Sequence, residues 1–143
     1  MTDNFTQSAA MQDYLEAILN ISETAGVVRV TDIAAELRIA KSSVSQALSN
    51  LKKIGLVIQE PYGAVELTCT GKKQAFEIRH RHHVLRNFLE TLGVDTEIAD
   101  EDACLMEHVV SKETIDKLIK FVEKNGFTKK IEPRPSRTCD EGE

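Results

Sequence analysis

Apolar residues recur at helical spacing from about Gln7 to Thr24, where Met11, Tyr14, Leu15, Ile18, Leu19 and Ile21 fall on one face. Ala25-Gly26 ends that run. Val28-Arg29-Val30 then reads as a short extended piece, and Thr31 stands as N-cap to a helix over Asp32 to Leu37 with Ile33, Ala34 and Leu37 inward. After Arg38-Ile39-Ala40-Lys41 comes a longer helix, about Ser42 to Ile54, which turns Val44, Ala47, Leu48 and Leu51 inward. Gly55 stops it, because glycine enters the left-handed region without steric cost. The period then drops to two: Leu56 to Glu60 and Ala64 to Thr68 alternate around a turn at Pro61-Tyr62-Gly63, a hairpin. Thr70 is set to cap a long helix to about Leu92, and Gly93 closes it. A further helix covers Thr96 to Val110, and Ser111 with Glu113 and Thr114 opens a last one carrying Ile115, Leu118, Ile119 and Val122 to Gly126.

A leading helix followed by helix, short turn, helix and hairpin is the order of a winged helix-turn-helix. Composition agrees with a mainly α chain, since aromatic residues are only 5% and Trp is absent. The 143 residues, 41% of them apolar, suit one compact body or two small subdomains. No apolar run approaches the roughly 20 residues of a membrane span. The polar N-terminus lacks the basic and apolar regions of a secretory signal, which points to a cytoplasmic protein. Cys69, Cys104 and Cys139 have no framework spacing, so reduced thiols are expected. From Thr128 onward there is little to bury, and a frayed tail is expected.

In the helix-turn-helix the second helix would enter the major groove. Its outward polar positions Ser42, Ser43, Ser45, Gln46 and either Ser49 or Asn50 are small enough to approach base edges and phosphates, and Gln46 has the amide that pairs bidentately with adenine. The alternative is a polar solvated face on an ordinary helix hairpin. The overall charge of −5 argues against nucleic acid, for which a basic surface is the usual footprint. The acidity is local, however: residues 95–113 hold seven carboxylates against Lys112 alone. Arg29, Arg38, Lys41, Lys52 and Lys53 outnumber Asp32, Glu36 and Glu60 around the candidate reading helix, and such cations contact phosphates.

Cys104-Leu105-Met106-Glu107-His108 is the other unusual group. On a helix, positions i, i+3 and i+4 share a face, so Cys104, Glu107 and His108 converge. Thiolate, carboxylate and imidazole together suit a divalent ion of the first transition row. Asp13 and Glu16 present two carboxylates at i, i+3 on the first helix. In both places the alternative is an exposed polar helix face. His80, His82 and His83 cluster with Arg79 and Arg81 on the long helix, where they cannot all point one way.

Taken in order, several segments resemble the metal-dependent repressors of the diphtheria toxin repressor family, close to its short manganese-regulator branch. They are Met11 to Glu16, Ser42-Ser43-Val44-Ser45-Gln46, Leu67-Thr68 with Thr70-Gly71-Lys72-Lys73, Arg81-His82 before Leu85 and Phe88-Leu89, and Cys104 to Ser111. The resemblance covers roughly Met11 to Phe127. It implies a winged helix-turn-helix DNA-binding domain, placed over residues 1–70, and a helical metal-binding and dimerisation domain over 71–127; residues 128–143 are read from their composition as a flexible tail. It also implies metal ligands at Asp13, Glu16, His82, Cys104, Glu107 and His108, while the DNA contacts read from the residues themselves are Lys41, Ser42, Ser43, Ser45, Gln46 and Asn50. Cys104 matches the iron-responsive branch and Asp13 the manganese branch, so Mn²⁺ and Fe²⁺ rank as near equals, with Co²⁺ or Zn²⁺ as substitutes in vitro. Arg86 stands where iron-type members place a glutamate of a second site, and Lys41 replaces a common proline before the recognition helix.

A two-fold homodimer on a palindromic operator of double-stranded DNA follows from the same resemblance. Leu85, Phe88, Leu89, Leu92, Val109 and Val110 are the apolar residues shared between the dimer contact and the monomer core. The implied ligands lie on both sides of the domain boundary, so a bound ion would select the DNA-competent arrangement. The implied function is a metal-activated transcriptional repressor, controlling metal-uptake genes. Its rivals are a winged-helix regulator sensing a small organic ligand or thiol oxidation through Cys104, and a small metalloenzyme with Glu107 as general base.

Overall fold

The structure is a computed structural model, and it describes residues 9–125 apart from Tyr62. The expected helix start at Gln7, the turn residue Tyr62, Gly126, Cys139 and the tail from Thr128 lie outside the described residues. The chain divides into two compact units that meet within one helix, at Phe76 and Glu77.

In the first unit, α1 (Ala9–Ala25), α2 (Val30–Leu37) and α3 (Lys41–Lys53) precede the antiparallel strands β1 (Val57–Gln59) and β2 (Val65–Leu67), and α4 (Cys69–Thr91) begins there. Helix α1 packs on α2 and β2, and α3 packs on α2 and β1. The inward residues are those the periodicity selects: Leu15, Ile18, Ile33, Val44, Leu48 and Leu51 are buried to within about 1% of complete exclusion. Ile58 faces Glu66 across the hairpin on its exposed side, while Val57 opposite Leu67 is buried. Val28 is bridged to Val65, whose N–H donates to the Val28 carbonyl at 2.8 Å, so the short extended piece ties α1's end to the hairpin.

Helix ends show which local signals prevailed. Helix α3 closes as a Schellman motif: Gly55, at φ 77°, donates to the Lys52 carbonyl, and Leu56 donates to that of Leu51. Two expected caps move upstream. Helix α2 starts at Val30 with Arg29 as N-cap, whose N–H donates to Asp32 at 3.1 Å, so Thr31 lies inside the first turn. Helix α4 starts at Cys69, because Thr68 rather than Thr70 caps it: the Thr68 hydroxyl accepts from the Gly71 N–H and donates to the Gly55 carbonyl.

The second unit comprises the rest of α4, α5 (Thr96–Val109) and α6 (Lys112–Asn125). Val84 and Leu85 from α4, Ala103 from α5 and Ile115, Ile119 and Val122 from α6 form its core, with Phe88, Leu89, Met106, Val110 and Leu118 packed around it. An Arg81–Asp116 ion pair joins α4 to α6. Ser111 caps α6 by accepting from the Thr114 N–H, as expected. Cys104 is in no disulfide, but Cys69 is disulfide-bonded, which corrects the expectation of reduced thiols for that residue. Sequence spacing does not report which segments lie side by side in space. No helix among the described residues is long and apolar enough to cross a membrane.

Candidate functional site

Metal donors occur in each unit. On α5, Cys104 and His108 lie one turn apart, and their Sγ and Nε2 atoms are 3.8 Å from each other. Bond lengths near 2.3 Å to sulfur and 2.0–2.1 Å to imidazole put two such donors about 3.6 Å apart around a tetrahedral ion, so the pair is spaced for a shared cation. Glu107, half-buried, falls on the same face. A thiolate, an imidazole and a carboxylate are donors that a first-row divalent ion accepts, so the residues fit such a group. In the first unit, Asp13 and Glu16 are both half-buried on α1, at the i, i+3 spacing that aligns them.

The histidine cluster separates into distinct roles. His82 is buried, and its Nε2 lies 2.8 Å from Asp100 Oδ1 on α5. Arg86, one turn after His82, reaches the same Asp100 oxygen at 3.4 Å. Burial pushes the Asp100 carboxyl up, but the hydrogen bond and charge of His82, together with the Arg86 guanidinium, outweigh it and hold the group below the ordinary carboxylate value. His80 is turned to α6, with its Nε2 3.5 Å from Glu123. The His83 ring is tilted against that of His82, with centroids 6.2 Å apart. Asp100 is the residue that motif reading passed over; its signal was its place one turn before Cys104.

The candidate DNA face is on α3. Lys41, Ser42, Ser43, Ser45, Gln46, Ser49 and Asn50 are all exposed, and Val44, Ala47, Leu48 and Leu51 hold the opposite side in the core. The N-cap is Ala40, which has no side-chain acceptor for the first-turn N–H groups. Arg29, Arg38, Lys52 and Lys53 are also exposed, so the basic excess near α3 is on the surface. Arg38 ends α2 at φ 56°, the single non-glycine with positive φ among the described residues. That left-handed residue turns the chain tightly from α2 into α3.

Residues 6–65 match the N-terminal DNA-binding domain of the iron-dependent repressors, and residues 68–136 match their metal-binding and dimerisation domain. The chain belongs to the iron-dependent repressor family. It is similar to the transcriptional regulator MntR of Escherichia coli O6:H1, 41% identical over 116 residues that make up 81% of this chain and 75% of that protein. It is 36% identical over 124 residues to the HTH-type transcriptional regulator MntR of Bacillus subtilis strain 168, covering 85% of this chain and 87% of the relative. Among solved structures, a manganese-dependent transcriptional repressor in complex with manganese superposes with a TM-score of 0.72 at 28% identity, over 89% of this chain and 59% of that one. As a member of this family the chain is a metal-responsive, DNA-binding transcriptional regulator with a winged helix-turn-helix and a helical dimerisation domain, and not an enzyme.

Proposed function

We propose that this repressor is activated by Mn²⁺ or Fe²⁺ held by Asp13, Glu16, His82, Cys104, Glu107 and His108. The observation that carries the reading is the 3.8 Å Cys104–His108 pair on α5, inside the segment that matches a metal-binding domain. Asp13 and Glu16 belong to the DNA-binding domain, residues 1–70, and the other four to the metal-binding and dimerisation domain, residues 71–127. A divalent ion bound by both sets neutralises their carboxylates and ties the reading helices to the dimer frame. The similar manganese-dependent repressor solved with manganese supports Mn²⁺, and the thiolate of Cys104 supports Fe²⁺, with Co²⁺ and Zn²⁺ binding in vitro.

The DNA contacts are Lys41 to phosphate and Ser42, Ser43, Ser45, Gln46 and Asn50 to base edges or sugar-phosphate, supported by their common exposure on α3. Two reading helices of a homodimer fit a palindromic operator with half-sites about one DNA turn apart. The regulated genes are those of metal uptake, and the protein works in the cytoplasm. Mobility-shift titration on the operator upstream of its own targets tests the whole reading. Affinity should rise with Mn²⁺ or Fe²⁺ and fall in chelator; equal affinity in both overturns it.

A further inference from the structure

Asp100 carries no role in the ligand set above, yet it lies on the ligand face of α5, one turn before Cys104. Its Oδ1 meets His82 Nε2 at 2.8 Å and Arg86 at 3.4 Å, and the Arg86 Nε lies 3.4 Å from Glu90. This row joins α4 to α5 through charged and hydrogen-bonding atoms. A neutral imidazole has one N–H and one lone pair, whereas an ionised carboxylate only accepts. The short contact therefore places a proton on His82 Nε2, and in the neutral ring this leaves Nδ1 as the lone-pair atom. Arg86 only donates, so its contact with the same oxygen likewise requires Asp100 to accept and holds the side chain in place. The same guanidinium puts a positive charge beside Asp100, which makes the carboxylate a poor ligand for a second cation.

We propose that Asp100 is the positioning residue for His82: it accepts the Nε2 proton, locks the tautomer and rotamer of the buried ring, and so presents Nδ1 to the divalent ion. Metal-ligating histidines commonly donate their second N–H to a carboxylate in this way. The inference rests on the reading of His82 as a ligand.

The test uses the full chain. ¹⁵N imidazole spectra of the metal-free protein, above the histidine titration range, report the tautomer, and electron paramagnetic resonance of free Mn²⁺ reports affinity. In the native protein His82 should be the Nε2–H tautomer. Asp100→Ala should lose that single tautomer and bind Mn²⁺ about 10–100-fold more weakly. Asp100→Asn retains a carbonyl acceptor and should recover the tautomer and most of the affinity. An Nδ1–H tautomer in the native protein overturns the proposal. So does an Asp100→Asn variant as weak as Asp100→Ala, which would make the carboxylate itself a ligand. If His82→Ala weakens Mn²⁺ binding but Asp100→Ala does not, the positioning role fails and His82 stands as a ligand. If His82→Ala binds Mn²⁺ like the native protein, the ligand reading of His82 fails and the positioning role with it.

Discussion

Gly71 shows how one atom can constrain a junction. A Cβ at that position would lie 2.0 Å from the Leu56 carbonyl oxygen, which is backbone and cannot swing away. The same turn is closed by the Thr68 hydroxyl accepting from the Gly71 N–H. Gly71→Ala should therefore cost roughly 1–3 kcal/mol of stability through forced displacement of the hairpin strand. Urea or thermal unfolding reads the loss, and a variant as stable as the native protein would show that the Leu56 backbone yields to the added methyl without cost. Cys104 carries the chemical side of the argument. Cys104→Glu exchanges a soft sulfur for hard oxygen, so Zn²⁺ should lose affinity relative to Mn²⁺ in a competition titration. An unchanged ratio would remove Cys104 from the ligand set.

Helix α5 has two chemically different sides. At 100° per residue, Asp100, Cys104, Glu107 and His108 gather on one face, while Ile98, Leu105 and Val109 gather on the other. The second face is solvent-exposed in the single chain, with Val109 81% exposed. Helix α3 is divided just as plainly between its core face and its polar face. Lys41→Ala should weaken DNA binding about equally on all sequences and lower the slope of log affinity against log salt by about 1. Gln46→Ala should instead cost roughly 1–3 kcal/mol of discrimination at one base pair. Fluorescence anisotropy across salt concentrations and operator variants separates the two effects; a uniform loss from Gln46→Ala would make that residue a backbone contact.

The exposed α5 stripe is the dimer contact we propose, with a second copy of the chain as the occupant that a dimerisation domain calls for. Paired substitution Leu105→Glu with Val109→Glu should shift sedimentation from dimer to monomer and weaken operator binding, since a single reading helix loses its partner half-site. A dimer that persists would place the interface elsewhere on the helical domain. Chelation probes the coupling separately. Removing metal should lower operator affinity while far-UV circular dichroism stays unchanged, because each unit has its own buried core.

Much of this was readable from residue order alone. Helix periods, the hairpin, the stop at Gly55 and the polar face of α3 depend on neighbours within a few positions, and local backbone physics sets them. The spacing Cys104-x-x-Glu107-His108, which puts the three on one face, is likewise a property of one helix turn. Other features depended on segments far apart in the chain. Thr68 prevailed over Thr70 as cap because the Gly55 carbonyl lies beside it. Leu85 went to the core while Leu92 and Val109 stayed exposed, although all three have suitable side chains. The disulfide at Cys69 and the pairing of Asp100 with His82 belong to the same class. Packing decides which of several chemically equal candidates meet, and spacing along the chain holds no record of it.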